Sequence, residues 1–445
     1  MTISIPEAIG LAEGVTSCMQ RPHDPWRTAK TPDARRFVQA VITMIAEHEQ
    51  RHGLRKRKRR SKDQEVFERA VDAIISDLAL NALTEHSSGI RISRSNGTLL
   101  FKSRYRSPVT TKTLPMLLDL LSGPSLGLIE QKLGIGSEFG DGIQTIIRPL
   151  PKLVDMLQRY RLCPLSFVEL QRKEPIHLKG NPLRHDKPAP QIEYEDSDIT
   201  ERFRRDVQEI NAWLATAQIT SLGPLTVDLN RRQLRRVFTR GSFSKGGRLF
   251  GGFWQPMHKL DRLKYLEISG EPVVEIDYGQ IMPRLMYAHA GIKPEMDDLY
   301  AISGFAAFRP GVKKIMSSML FVDKPITRFP KGTRNLFPKG VSVCDVTDAV
   351  SVSHPNIAQY FFTGIGHHCQ FLESQIMVEV LRVLMGMKSM GIIALPIHDA
   401  VLVPASAEKV VKNVMLHTFL NKTGQSGVVD VLTKQQLEET DAIAA

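Results

Sequence analysis

The sequence predicts an α+β fold in two parts joined by a polar stretch. Three observations carry this. Apolar residues recur at helical spacing in the first part; two β-rich apolar runs, Val273–Tyr278 and Ile392–Pro404, stand in the last; and from Gln171 to Ser197 the chain turns Pro-rich, charged and aperiodic. The expected division is a basic, mainly helical region over 1–170, a linker over 171–200, and a helix-and-sheet region over 201–445.

With 445 residues, 42% of them hydrophobic, the chain is long enough to bury a large core in more than one domain. Its net charge of +12 favours a polyanionic partner, and nucleic acid leads the candidates. Cys18, Cys163, Cys344 and Cys369 lie far apart and form no CxxC pair, which argues against a zinc knuckle or a disulfide framework and for a reducing, cytoplasmic setting. There is no run of eighteen apolar residues and no basic-then-apolar N-terminus, so neither a membrane span nor a secretion signal is expected.

In chain order, Phe37, Val38, Val41, Ile42 and Ile45 predict a helix over Ala34–Gln50, and a second follows over Val66–Leu83. Between them stand Arg55, Lys56, Arg57, Lys58, Arg59 and Arg60, six adjacent cations that need solvent or a phosphate backbone beside them. From Leu114 to Tyr160 the order helix, strand, Gly-rich turn, strand, helix suits a winged-helix module as well as other small α+β domains. After the linker, a helix carrying Phe203, Val207, Ile210 and Trp213 leads into RRQLRRVFTRGSFSKGGRLFGGFWQ. There Arg235, Arg236, Arg240, Lys245 and Arg248 alternate with Phe238, Phe243, Phe250, Phe253 and Trp254. Cations for phosphates, rings for stacking and glycines for close approach would make a nucleic-acid surface; a hairpin with core aromatics is the alternative. No phosphate-binding G-x-x-x-x-G-K-[ST] loop and no internal repeat is present.

Three later segments bear chemistry. In EPVVEIDYGQIMPRLMYAHAG, Asp277 ends a buried strand just before a helix. In GIIALPIHDAVLVP, two apolar runs flank Ile397-His398-Asp399-Ala400, the pattern of a hairpin presenting Asp399 at its turn. Two such aspartates on neighbouring strands would hold two metal ions roughly 3.5–4 Å apart, the arrangement for in-line phosphoryl transfer. Between them FRPGVKKIMSSMLF predicts a helix with Lys313, Ser317 and Phe321 on one face; Lys313 or Lys314 would meet triphosphate charge while Phe321 packs near a base. Asp297 and Asp298 are expected to begin a helix before Tyr300. Glu373, Glu379 and Arg382 belong to an apolar helix and read as structural, and the adjacent pair His367-His368 lacks metal-ligand spacing.

In this order the three segments resemble the polymerase motifs of family A DNA polymerases and the single-subunit, phage-type RNA polymerases. Asp277, Tyr278, Gln280, Ile281 and Arg284 match the first motif in register; Arg309, Lys313 and, in place of tyrosine, Phe321 match the second; His398 and Asp399 match the third. The resemblance covers roughly the C-terminal half. It implies a palm-type antiparallel sheet with helical fingers and template-directed nucleotide addition, most simply DNA synthesis on a DNA template–primer from dNTPs, of the kind found in phages, plasmids and mobile elements. RNA or primer synthesis, with RNA as template, and an inactive DNA-binding replication or regulatory protein are the alternatives.

The resemblance also implies roles. Asp277 and Asp399 would be ligands of two Mg2+ ions, with Mn2+ as a substitute, and His398 a neighbour of the primer end. Arg309 and Lys313, with Lys314, would contact phosphates, and Tyr278, Gln280, Met282, Ser317 and Phe321 would line the nucleotide. Arg284 would join Arg236, Arg240, Lys245 and Arg248 on nucleic acid. The chain departs from the pattern at Met282, where the DNA enzymes carry glutamate, at Ala400 after the catalytic aspartate, at Ser317 and at Val322. No paired-carboxylate exonuclease motif is found in the first half.

Overall fold

The computed structural model describes residues 20–84, 89–136, 142–182, 188–223 and 227–444, with side chains to 439. Most of the predicted Gly-rich turn, like Cys18, lies outside them. The chain divides into two compact units between Leu170 and Gln171.

The first unit contains β1 (Arg21–Pro22), β2 (Arg27–Ala29), α1 (Pro32–Arg51), α2 (Ser61–Leu83), β3 (Ile90–Ile92), α3 (Asn96–Leu100), α4 (Leu114–Ser122), β4 (Ile129–Lys132), β5 (Thr145–Pro149), α5 (Pro151–Arg159) and β6 (Phe167–Glu169). Thr31 caps α1, its hydroxyl accepting from Ala34 N at 3.3 Å, with Pro32 set in the first turn. The helical stripe Phe37, Val41 and Ile45 is buried in one apolar cluster with Ile74, Ile75 and Leu78 of α2 and Leu117 and Leu118 of α4. The strands form a sheet in the order β1-β3-β5-β4, antiparallel except between β1 and β3, and β2 pairs separately with β6.

The second unit contains β7 (Ile176–Leu178), α6 (Asp198–Ala215), β8 (Ile219–Ser221), β9 (Arg235–Thr239), β10 (Ser242–Phe250), α7 (Lys259–Tyr265), β11 (Leu266–Ile268), β12 (Glu271–Tyr278), α8 (Ile281–Ala290), α9 (Arg309–Phe321), α10 (Val343–Ser353), α11 (Gly366–Gly386), β13 (Leu395–Ile397), β14 (Ala400–Pro404), α12 (Glu408–Thr423), β15 (Val429–Leu432) and α13 (Lys434–Ala444). Its main sheet runs β13-β14-β12-β11-β8, all antiparallel, and β15 joins the C-terminal half of β12. A smaller sheet, β10-β9-β7, has a parallel pair between β7 and β9. Among the described residues no helix is long and apolar enough to cross a membrane.

Two expectations are corrected. The polar stretch after Gln171 is not a bare linker, because Ile176, His177 and Leu178 form a fully buried strand aligned with Arg236, Val237 and Phe238. Asp297 and Asp298 start no helix; they lie in a turn-rich segment, and α9 begins only at Arg309.

Candidate active site

Asp277 is the penultimate residue of β12, a central strand of the main sheet, where its neighbours Ile276 and Tyr278 are buried. Directly across the ladder stand Ala400 on β14 and Asp430 on β15. Asp399 occupies the turn between β13 and β14, and its carbonyl accepts a 3.2 Å hydrogen bond from Tyr278 N, which ties the two aspartate-bearing segments together. His398, just before it, adopts a left-handed backbone (φ 58°), and so does Gln280 (φ 57°) three residues after Asp277. Left-handed conformations in residues with a Cβ cost energy and are kept where the surroundings demand them, so both carboxylates sit beside strained backbone.

The electrostatics of this corner are unbalanced. Burial, then the charges of Asp399 and Glu275, push the Asp277 carboxyl up to about 7, against the pull of Lys259 and Lys313. Its Oδ1 is buried with no hydrogen-bond partner. Glu275, by contrast, is neutralised by Lys259 at 2.8 Å and Arg262 at 2.9 Å. A buried carboxylate oxygen left unpaired beside a second carboxylate is suited to hold a cation, and the all-oxygen donor set suits a hard one such as Mg2+. Among the described residues no three His, Cys, Asp or Glu side chains are grouped for a metal. The protein's share of such a site would be the aspartate pair, which is a usual number for Mg2+ when phosphates and water complete the shell.

On α9 Lys313, Lys314 and Ser317 are exposed, and of these the Lys313 charge reaches Asp277. Lys313 has its Nζ 6.0 Å from the centre of the buried Tyr300 ring. Arg309, at the start of α9, is engaged by Asp298, with Nε and Nη2 donating to the two carboxylate oxygens at 2.6 and 3.0 Å. Met282 is half-buried in the first turn of α8. Phe321 is half-buried at the other end of α9, edge-on to His367 with ring centres 5.1 Å apart.

Arg248 of β10 was read from sequence as a nucleic-acid contact, and the structure adds the partner that sequence reasoning missed. Buried Glu373 of α11 accepts from its Nε and Nη2 at 2.6 and 2.7 Å. Burial outweighs the pull of Arg248 and pushes the Glu373 carboxyl up to about 7, yet two short bonds from a guanidinium call for the carboxylate, and we take the pair as ionised. The Arg248 charge also reaches Asp399 and His398: after burial it is the main cause lowering the His398 pKa, so His398 is neutral at physiological pH. His398 packs edge-on against half-exposed Phe250, ring centres 5.1 Å apart.

Several predicted contacts prove to be structural. Arg236 is fully buried; its Nε donates to Gly247 O at 2.9 Å and Nη2 to Ser374 Oγ at 3.0 Å, and it stacks over Phe203. It cannot reach a nucleic acid. Tyr278 spends its hydroxyl inside the core on Met415 O at 2.7 Å. Gln280 accepts from Leu299 N, and buried Arg284 donates to Asp297 O at 3.0 Å, so both hold the 297–299 turn that presents Asp298 to Arg309. Arg240 donates to His367 Nε2 at 3.2 Å in the β9–β10 turn, while Lys245 is exposed. In the first unit Arg59 is nearly buried by Glu49 and Phe67, whereas Lys56, Arg57, Lys58 and Arg60 are exposed, as is Arg55 despite a 3.5 Å contact with Glu49.

No protein-family model matches this chain, and no curated protein does. Solved structures do match, among them the POL domain of Pol1 from M. smegmatis in complex with DNA primer-template and dNTP, at 13% identity and a TM-score of 0.26. The alignment takes in 52% of this chain and about half of that one, 50%. A likeness this slight fixes neither fold nor function.

Proposed function

We propose that the second unit is a template-directed nucleotidyltransferase, a DNA polymerase in which Asp277 and Asp399 hold two divalent cations at the end of a central strand of a palm-type sheet. The observation that supports this most is the pair itself: two carboxylates fastened together by a strand and a turn, Asp277 raised by burial and then by the charge of Asp399, with an unpaired buried oxygen and the charge of Lys313 within reach. A structural aspartate would be paired, as Glu275 is.

In this reading Asp277 and Asp399 bind and orient the cations, which when bound lower the pKa of the 3′-hydroxyl and offset charge on the departing pyrophosphate. Lys313 and Arg309 take the triphosphate, Arg309 exchanging Asp298 for phosphate oxygens. Tyr300 and Phe321 bound the nucleotide, and Met282 crowds its 2′ position, a flexible apolar gate that favours dNTPs by roughly ten- to a hundredfold. His398, neutral, borders the primer end. The test is extension of a labelled primer on DNA and RNA templates, with dNTPs or rNTPs, in Mg2+ or EDTA. Metal-dependent extension with dNTPs supports the reading, and tight binding without extension under any of these conditions opposes it.

A further inference from the structure

The first unit carries a charge pattern for which the chemistry of the second has no use. From Gly89 to Leu118 the chain holds six cations, Arg91, Arg94, Lys102, Arg104, Arg106 and Lys112, and no acid. Some of these shape the surface. Arg106 donates to the carbonyls of Leu99, Phe101 and Thr110, closing the loop between α3 and α4, and Arg94 donates to both oxygens of Asp119 at 2.7 and 2.8 Å. In the α1–α2 turn Arg59 does the same work, its guanidinium bonded to Glu49 at 2.6 and 2.8 Å and 3.6 Å from the centre of the Phe67 ring. Others are exposed with no ion pair among the described residues, namely Lys56, Arg57, Lys58 and Arg60 on the turn, and Lys102 and Lys112 before α4.

Between α1 and α4 runs an open groove of about 690 Å³, lined by His48, Arg94, Asn96, Lys112, Met116 and Leu120 among others. The His48 and His52 rings lie 4.4 Å apart, tilted, at the end of α1, and the basic turn follows directly in the chain, while Lys112 lines the same groove as His48. We propose that this groove and its basic shoulders dock the sugar–phosphate backbone of duplex DNA. Phosphate charge is the complement of the unpaired cations, and release of the duplex's counterions drives the association. Base reading is not part of it: the outward face of α4 offers Met116 and the already paired Asp119, and phosphate contacts position without specifying. A single strand is disfavoured because, His48 apart, the lining has no ring on which a base could stack.

The inference is independent of the catalytic reading and is tested without nucleotide. The full chain is titrated onto a short blunt DNA duplex, in EDTA, over a range of NaCl. Lys112→Glu and the triple change K56Q/R57Q/K58Q should each weaken binding by on the order of tenfold and flatten the log–log salt dependence by roughly one per lost contact, with unchanged melting temperature. Lys112→Arg should restore binding, and Asp399→Asn should leave it unchanged whether or not the chain extends primers. Unaltered affinity and slope in both charge variants would overturn the proposal, as would equal binding of a single strand of the same length.

Discussion

Asp277 sits in β12 with a buried, unpaired oxygen, and its discomfort gives it a measurable signature. Its carboxyl titrates near 7 in the folded chain, above its ordinary value of 3.8, so the folded state holds the proton more tightly than the unfolded one. That contribution to stability is complete below the ordinary value and is lost as pH rises from there through about 7 in the absence of metal. We therefore predict that in EDTA the melting temperature falls between pH 5 and pH 8, that Mg2+ restores it at pH 8, and that Asp277→Asn abolishes both effects. Thermal unfolding at the two pH values checks this, and a Mg2+ response retained by Asp277→Asn would contradict it. Arg309 supplies a second prediction. Its pair with Asp298 is half-exposed, and such pairs are worth about 0–1 kcal/mol, so phosphate can displace it cheaply. Asp298→Ala should leave stability nearly unchanged and lower the KM for nucleotide several-fold, whereas Arg309→Ala should raise it by about tenfold; steady-state kinetics on both variants measures this.

At the scale of elements, the strands and helices that carry chemistry were legible because their periodicity is local. The buried run of β12, the β13–β14 hairpin around Asp399 and the apolar stripe of α9 could be read from the sequence alone. What escaped depends on pairing between distant segments. β7 is three residues long and finds its partner in β9 far along the chain, so nothing near Ile176 announces it. Glu373 looked like one polar residue on an apolar helix until α11 was laid against β10 and Arg248 met it. Arg236 is different, since its fate was readable: β9 alternates, and Arg236 shares the buried face with Phe238 while Arg235 and Val237 are only half-buried. A count of cations missed that period of two. It follows that Arg236→Ala should cost roughly 3 kcal/mol, from the cavity and from the bonds to Gly247 and Ser374 left open, and should not change the salt dependence of nucleic-acid binding. Chemical denaturation paired with a salt titration separates the two outcomes.

For the molecule as a whole, the net charge of +12 divides between two tasks that the proposed readings keep apart. In the first unit Lys112 lines a groove and Lys56, Arg57, Lys58 and Arg60 are exposed on the α1–α2 turn; in the second, the charges of Lys313 and of the Glu373-bound Arg248 act on the two aspartates. The central claim is that these aspartates make the chain a metal-dependent polymerase. The most direct measurement is primer extension with dNTPs and Mg2+ by the wild-type chain and by Asp399→Asn, with duplex binding followed in the same samples. The account predicts extension by the wild type, a loss on the order of a thousandfold or more in Asp399→Asn, and unchanged binding; near-normal extension by Asp399→Asn would contradict it.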